Sequence, residues 1–200
     1  MLEQILGDIR DNDEVIRGRV FSGEVLAELD LSGIEFEEVT FDHCRFINCD
    51  FSYGNLFRTQ FLSCDFSNCR FAKSYWNQSG ISESKGDGAA FTESTFKRCE
   101  FRDSVFHYAN LPQTQWEDIK MTGCSFGHAS FQAAKFKRIE MREVVLSGAE
   151  FFRSSLKGVD LSQCAIDGIR VSESMKELRG VKINPGQAVD LIPLLGIEMI

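Results

Sequence analysis

No apolar run in the 200-residue chain approaches the roughly 20 residues of a membrane helix, so a helical span is excluded. The opening MLEQILGDIRDNDE places acids early and lacks the basic start and apolar core of a signal peptide, which makes the cytoplasm the expected compartment. Histidine is scarce: His43, His107 and His128 are expected to point outward and are too scattered for a metal centre. No nucleophile, base and orienting group fall together, so neither catalysis nor a cofactor is expected. Amphipathic periodicity is missing as well. Over most of the chain apolar residues recur neither at the 3.6 of a helix nor at the 2.0 of a flat strand. With 43% hydrophobic residues the chain can still bury a sizeable core, which argues against disorder.

What is present is a period of five. Residues 91–106 read FTESTFKRCEFRDSVF, with Phe91, Phe96, Phe101 and Phe106 in one phase. Stepping by five from Phe21 to Val171 meets a large apolar residue everywhere but at Gly86. Sixteen of the eighteen phenylalanines share that phase, Phe57 and Phe152 being the exceptions. Such regularity is an internal repeat, which takes precedence over any helix or strand assignment. Two residues before each large one stands a second, mostly small set, including Cys44, Cys49, Gly54, Thr59, Cys64, Cys69, Ser74 and Ser79. All seven cysteines fall in it, so they are expected as buried packing residues. An odd count in a chain read as cytosolic also argues against a disulfide framework.

The pattern of a small residue, any residue, Leu or Phe and two more polar residues resembles the pentapeptide-repeat family. The resemblance covers about 150 residues. It implies an all-β solenoid, a right-handed quadrilateral β-helix in which four pentapeptides make one square turn. Residues 21–173 would form the helix, 1–20 an N-terminal cap segment and 174–200 a C-terminal module. Phe96, Phe101, Trp76 and Trp116 are then core residues, and Cys44 and Cys49 stack against Cys64 and Cys69 at about 4.8 Å, a spacing whose parallel side chains suit a disulfide poorly.

Four faces follow from residue number. One carries Asp42, Glu83, Glu100, Asp103, Glu140, Glu143 and Asp160 against Arg102, Lys120 and Arg142, a net −4. The face before it is net +2, with a stripe at Lys135, Lys137 and Arg138. The acidic face is the candidate for a partner that ordinarily binds DNA phosphates; ordinary solubility explains exposed charge equally well. At residues 82–88 the glycines Gly86 and Gly88 suggest a bulge that offers Glu83 and Asp87 to a partner, or else a frayed coil edge.

The two ends differ in kind from the rod. Leu2, Ile5, Leu6 and Ile9 have helical spacing and suit a cap on the open first coil or an interface. After Val171 the phase fails at Lys176. A short strand, an N-cap at Asn184, Pro185 at the first helical position and a helix ending near Gly196 are then expected, followed by an apolar tail. This ending resembles the terminal module of the Qnr and MfpA type of topoisomerase-protecting pentapeptide protein. That likeness implies a homodimer joined through Leu191, Leu195, Ile197 and Met199. It also implies a non-enzymatic rod that binds type II topoisomerase, DNA gyrase first, in place of DNA and relieves quinolones or a related toxin. No direct contact with nucleic acid or membrane is expected. The alternative is a structural or regulatory scaffold with no topoisomerase partner.

Overall fold

The computed structural model describes residues 2, 3, 6 and 15–197. Its unit is a three-residue strand and a two-residue corner. The central residue of each strand points in, its neighbours point out, and the residue after them takes a left-handed backbone conformation, as at Arg58 (φ 49°), Glu83 (φ 51°) and Asp103 (φ 47°). That conformation turns the chain and resets the in-and-out phase, which is why the inward residue recurs at five rather than at two. The result is a right-handed quadrilateral β-helix.

On one wall β1 (Ile16–Arg17), β4 (Glu35–Glu37), β7 (Asn55–Phe57), β9 (Tyr75–Asn77) and β11 (Thr95–Lys97) pair in parallel. On the next, β2 (Val20–Ser22), β5 (Thr40–Asp42), β8 (Gln60–Leu62), β10 (Gly80–Ser82) and β12 (Glu100–Arg102) do the same. Two longer strands, β13 (Gln115–Thr122) and β14 (Lys135–Arg142), turn the corner between these walls unbroken and join them into one 12-stranded sheet. The third wall opens with β3 (Val25–Ala27) and β6 (Arg45–Ile47) and continues through single bridges such as Asp65 to Lys85 to Val105. Single bridges from Asp30 to Arg170 build the fourth. Partners are 20 residues apart from β1 to the Glu150–Arg170 bridge, as in Phe36 on Leu56, Leu56 on Trp76, Trp76 on Phe96 and Phe96 on Trp116.

This register puts like on like in the core. Phe51 stacks on Phe71 and Phe71 on Phe91 at centroid distances of 4.7 and 4.8 Å, and Phe96 stacks on Trp116 at 4.3 Å. Each such pair contributes about 0.5–1.5 kcal/mol beyond burial. Phe96, Phe101, Trp76 and Trp116 are all at most 2% exposed. The small position has a second task besides being small. Ser79 Oγ accepts the Thr59 N–H and donates to the Leu56 carbonyl, stitching a corner of one coil to the next. All seven cysteines are buried free thiols in this position, and Cys44, Cys49 and Cys64 donate to the Phe21, Leu26 and Phe41 carbonyls.

The expected bulge at residues 82–88 does not exist. Lys85 bridges Asp65 on one side and Val105 on the other, and the Gly86 N–H donates to the Val105 carbonyl at 2.8 Å. Gly86 lies inside, where the Phe66 and Phe106 rings of the neighbouring coils close over it. A Cβ there would come within 2.5 Å of Phe66 Cε2 and 2.9 Å of Phe106 Cδ1. The missing side chain is replaced by two rings whose centroids are 6.2 Å apart.

At the N-terminal end Leu2 is fully buried and its N–H donates to Glu24 Oε2, while Leu6 packs against the core. Ile5 and Ile9 lie outside the described residues. At the other end the repeat gives way to side-chain stitching. Buried Glu177 accepts from the Arg153 N–H and from Ser172 Oγ. Burial alone would raise its pKa, but these hydrogen bonds outweigh it and hold the carboxyl below the usual range. The expected strand is a single bridge, Lys182 to Asp160. Asn184 and Gln187 form a capping box around Pro185, and Gln187 Nε2 also donates to the Leu161 and Cys164 carbonyls, closing the last coil. The helix Ala188–Leu191 runs on as a 3-10 segment Ile192–Leu195 and ends at Gly196 in the left-handed conformation.

Candidate partner-binding face

The wall built on Phe41, Phe61, Ile81, Phe101, Met121 and Met141 brings together seven of the eight acids expected to meet a partner. Glu83, Glu100, Asp103, Glu140, Glu143 and Asp160 are exposed and Asp42 is half-buried. Parallel register makes columns of them. Glu100, Lys120 and Glu140 follow one another in the column before the central residues. Glu83, Asp103 and Glu143 belong to the column at the corner, where each backbone is left-handed. Asp87 does not join them. It sits one corner away on the third wall, where its carboxylate accepts the His107 N–H at 2.8 Å.

Most of these acids are electrically open. Among the described residues Asp103, Glu140 and Glu143 make no ion pair, and Glu100 has only Arg102 at 3.9 Å. Glu83 receives a long hydrogen bond from Ser63 Oγ. Asp42 is one exception, since His43 and then Ser22 hold its carboxyl below the usual range. Asp160 is similarly lowered by Ser162.

The preceding wall carries more cations, and most of its acids are paired with them. Glu37 joins Arg17 to Arg58, and Arg58 reaches Glu38 as well. Glu117 takes both Lys137 and Arg138, and Arg138 also grips Asp118. Arg98 donates to Asn77 Oδ1. Two members of the expected basic stripe are thus neutralised in place, and Lys135 alone of the three has no ion pair among the described residues.

One convergence was invisible in the sequence. Ser125 Oγ lies 2.8 Å from His107 Nε2, and Asp87 Oδ1 lies 3.9 Å from His107 Nδ1. The expectation that no such groups meet is corrected, since residues 20 apart become neighbours. The trio still lacks what acyl transfer needs. The Ser125 and Phe126 N–H groups are both bonded to adjacent coils, leaving neither to hold an oxyanion beside Ser125 Oγ. Tyr108 and His128 stack on the same wall at 5.2 Å, and no cluster of metal-ligating side chains occurs among the described residues. The outward aromatics do gather in one place, where Phe57 meets Tyr75 at 5.8 Å beneath Lys97.

At the C-terminal end Leu191 packs against the chain's own core, whereas Leu195 and Ile197 are 59% and 53% exposed. Met199 lies outside the described residues. No helix among the described residues is long and apolar enough to cross a membrane.

Walls of stacked three-residue strands around an aromatic core define the β-solenoid class. The chain belongs to the pentapeptide-repeat family: the family described as pentapeptide repeat region matches residues 54–131 and 88–171. Among solved structures it is similar to a trypsin-treated variant of QnrB1, a plasmid-mediated fluoroquinolone resistance protein, at 19% identity over 93% of this chain and 97% of that one, with a TM-score of 0.47. A pentapeptide repeat protein from the Arabidopsis thaliana thylakoid lumen matches at 15% identity over 49% of this chain and 68% of its own, with a TM-score of 0.47. HetL of the cyanobacterium Nostoc sp. strain PCC 7120, a protein involved in heterocyst differentiation regulation, matches at 12% identity over 92% and 97%, with a TM-score of 0.34. No curated protein sequence matches the chain. Likeness at this level extends to the fold and no further.

Proposed function

We propose that the chain is a non-enzymatic cytoplasmic rod that binds a cationic, DNA-handling protein through its acidic wall. The observation that supports this is the contrast in how carboxylates are paired: Asp103, Glu140 and Glu143 stand open on a rigid sheet, whereas Glu37, Glu38, Glu117 and Asp118 of the adjoining wall are engaged by Arg17, Arg58, Lys137 and Arg138. A surface that reads phosphate through Lys and Arg is attracted to such carboxylates. The choice of type II topoisomerase, DNA gyrase first, and of protection from quinolones or a related toxin follows the resemblance of the sequence's terminal module. The reading is tested by gyrase supercoiling and quinolone-stabilised cleavage at low and high salt. Protection should fade with salt and on changing Glu100, Asp103, Glu140 and Glu143 together to Lys. A protein without effect on gyrase or topoisomerase IV would sink it.

A second reading, a structural or regulatory scaffold with no topoisomerase partner, is favoured by charge density. From Asp42 to Asp160 the wall is six coil steps long, roughly 29 Å at the usual strand spacing. A net −4 over that length is about one charge per 7 Å, against about one per 1.7 Å on duplex DNA. Shape and hydrogen bonding must therefore supply most of any affinity. Binding that ignores salt would support this second reading.

The rod acts as a homodimer in the proposed arrangement, joined end to end through exposed Leu195 and Ile197 with Met199 beyond them. Changing Leu195 and Ile197 together to Glu should give monomers in sedimentation with an unaltered melting temperature, because Gln187 still closes the last coil. A dimer that survived would place the contact elsewhere.

A further inference from the structure

The wall opposite the acidic one is nearly free of charge in its middle. On the third and fourth walls, no Asp, Glu, Lys or Arg occurs in residues 104–113 or 124–134. At the edge of this region, where the fourth wall turns into the first, lies a groove of about 590 Å³ lined by Glu93, Pro112, Gln113, Gln115, Gln132, Ala133, Lys135 and Arg153. Its cause is local. The corner column reads Glu93, Gln113, Ala133, Arg153, and the short Ala133 side chain leaves a notch between its longer neighbours. Pro112 and Gln132 form one bank, Gln115 and Lys135 the other.

Its polar groups are unengaged. The side-chain amides of Gln113, Gln115 and Gln132 make no hydrogen bond to any described residue, and Lys135 and Arg153 make no ion pair with one. Elsewhere on the fourth wall cations are paired, as in Arg70 with Asp50 and Arg170 with Glu150. The groove is therefore polarised. Two cations stand at the end nearer the C-terminus, and Glu93, 3.9 Å from Lys73, stands at the other. From Glu93 to Arg153 is three coil steps, roughly 14 Å. An extended peptide advances at most about 3.3–3.6 Å per residue, so about four residues match that length.

We propose that this groove binds an extended peptide segment with a carboxylate at the Lys135 and Arg153 end. Each glutamine amide offers both a donor and an acceptor, which suits the alternating N–H and C=O groups of a peptide backbone. The free guanidinium and ammonium groups suit a C-terminal or side-chain carboxylate, and the bank formed by Pro112 and Gln132 carries no charge. Nothing here depends on the acidic wall, which faces the other way.

The test uses the full chain, isotope-labelled, titrated with a tetra-alanine peptide acetylated at its N-terminus and carrying a free C-terminal carboxylate, with side-chain amide and backbone shifts followed by NMR. Shifts should concentrate at Gln113, Gln115, Gln132 and Ala133. The carboxyl-amidated peptide, Lys135→Ala and Arg153→Ala should each weaken the apparent affinity at least about five-fold, whereas Lys97→Ala on the adjoining wall should leave it unchanged. Either the same shifts with acetate alone or no saturable shift with the free-acid peptide would overturn the proposal. The first outcome would make the groove a simple anion site, and the second an empty notch.

Discussion

The acidic wall and the wall before it share one sheet, one register and one core, yet they treat charge in opposite ways. On the first wall Glu117, Lys137 and Arg138 form a cluster with Asp118, and Arg17, Glu37 and Arg58 form another. On the second, Asp103, Glu140 and Glu143 have no ionic partner among the described residues. Stacking at a 20-residue offset places every outward side chain beside its counterpart in the next coil, so the sequence decides column by column whether charges cancel or accumulate. The comparison teaches that net charge per face is a poor guide to what a partner meets. The wall that sums to +2 holds four of its five carboxylates, Glu37, Glu38, Glu117 and Asp118, in ion pairs, and the wall that sums to −4 leaves most of its own open.

The largest break in that comparison removes the frame beneath it. Phe101 is 2% exposed under the acidic wall and touches Phe96, Phe106 and Trp116. Phe101→Ala should cost about 3–5 kcal/mol through the cavity left behind, read as a lowered midpoint in denaturant unfolding. Partner binding through the wall should fall with it. An unchanged midpoint would mean that the inward column carries little of the stability and that the two walls do not depend on a common core.

A smaller break lies on the third wall, away from both. Gly86→Ala adds one methyl where the rings of Phe66 and Phe106 already close, and such overpacking costs about 1–3 kcal/mol. Both charged walls should keep their pairing, because Gly80–Ser82 and its neighbours are paired independently of the Gly86 side. A variant as stable as the parent would restore the bulge that the glycines suggested. This position also shows where sequence reading stopped. The backbone freedom of Gly86 suggests a bulge, whereas the decisive information lies 20 residues away on either side, in two rings large enough to fill its place.

The core was legible for the converse reason. A period of five makes covalent spacing and spatial stacking the same thing, so Trp76 above Phe96 and Phe96 above Trp116 could be read by counting. The faces of Glu83, Glu100 and Glu143 could be counted in the same way. Pairing could not, because it depends on where long side chains lean: Arg58 chooses Glu37 and Glu38, while Lys120 lies between Glu100 and Glu140 in the column without an ion pair to either. The meeting of His107 with Ser125 was equally hidden, since the two stand 18 residues apart and approach only because adjacent coils stack. The groove at Ala133 could have been anticipated as a short residue between long ones in a corner column.

The smallest expected effect is the sharpest on the contrast itself. Glu117→Gln on the paired wall leaves Lys137 and Arg138 facing each other without their shared carboxylate, whereas Glu140→Gln on the acidic wall removes a charge with no ionic partner. At low salt the first change should lower the melting temperature slightly and the second should leave it level or raise it, by relieving repulsion among carboxylates. Lys137 and Arg138 hold the Glu117 carboxyl below its usual range, so its stabilising contribution is complete above the unfolded carboxylate value near pH 4.3 and is lost as pH falls through the lower folded value. The deficit of Glu117→Gln should accordingly vanish in acid and shrink in high salt, where exposed pairs are screened. Shifts of equal size and sign from the two variants, at every pH and salt concentration, would show that the walls do not differ in the way their ion pairs indicate.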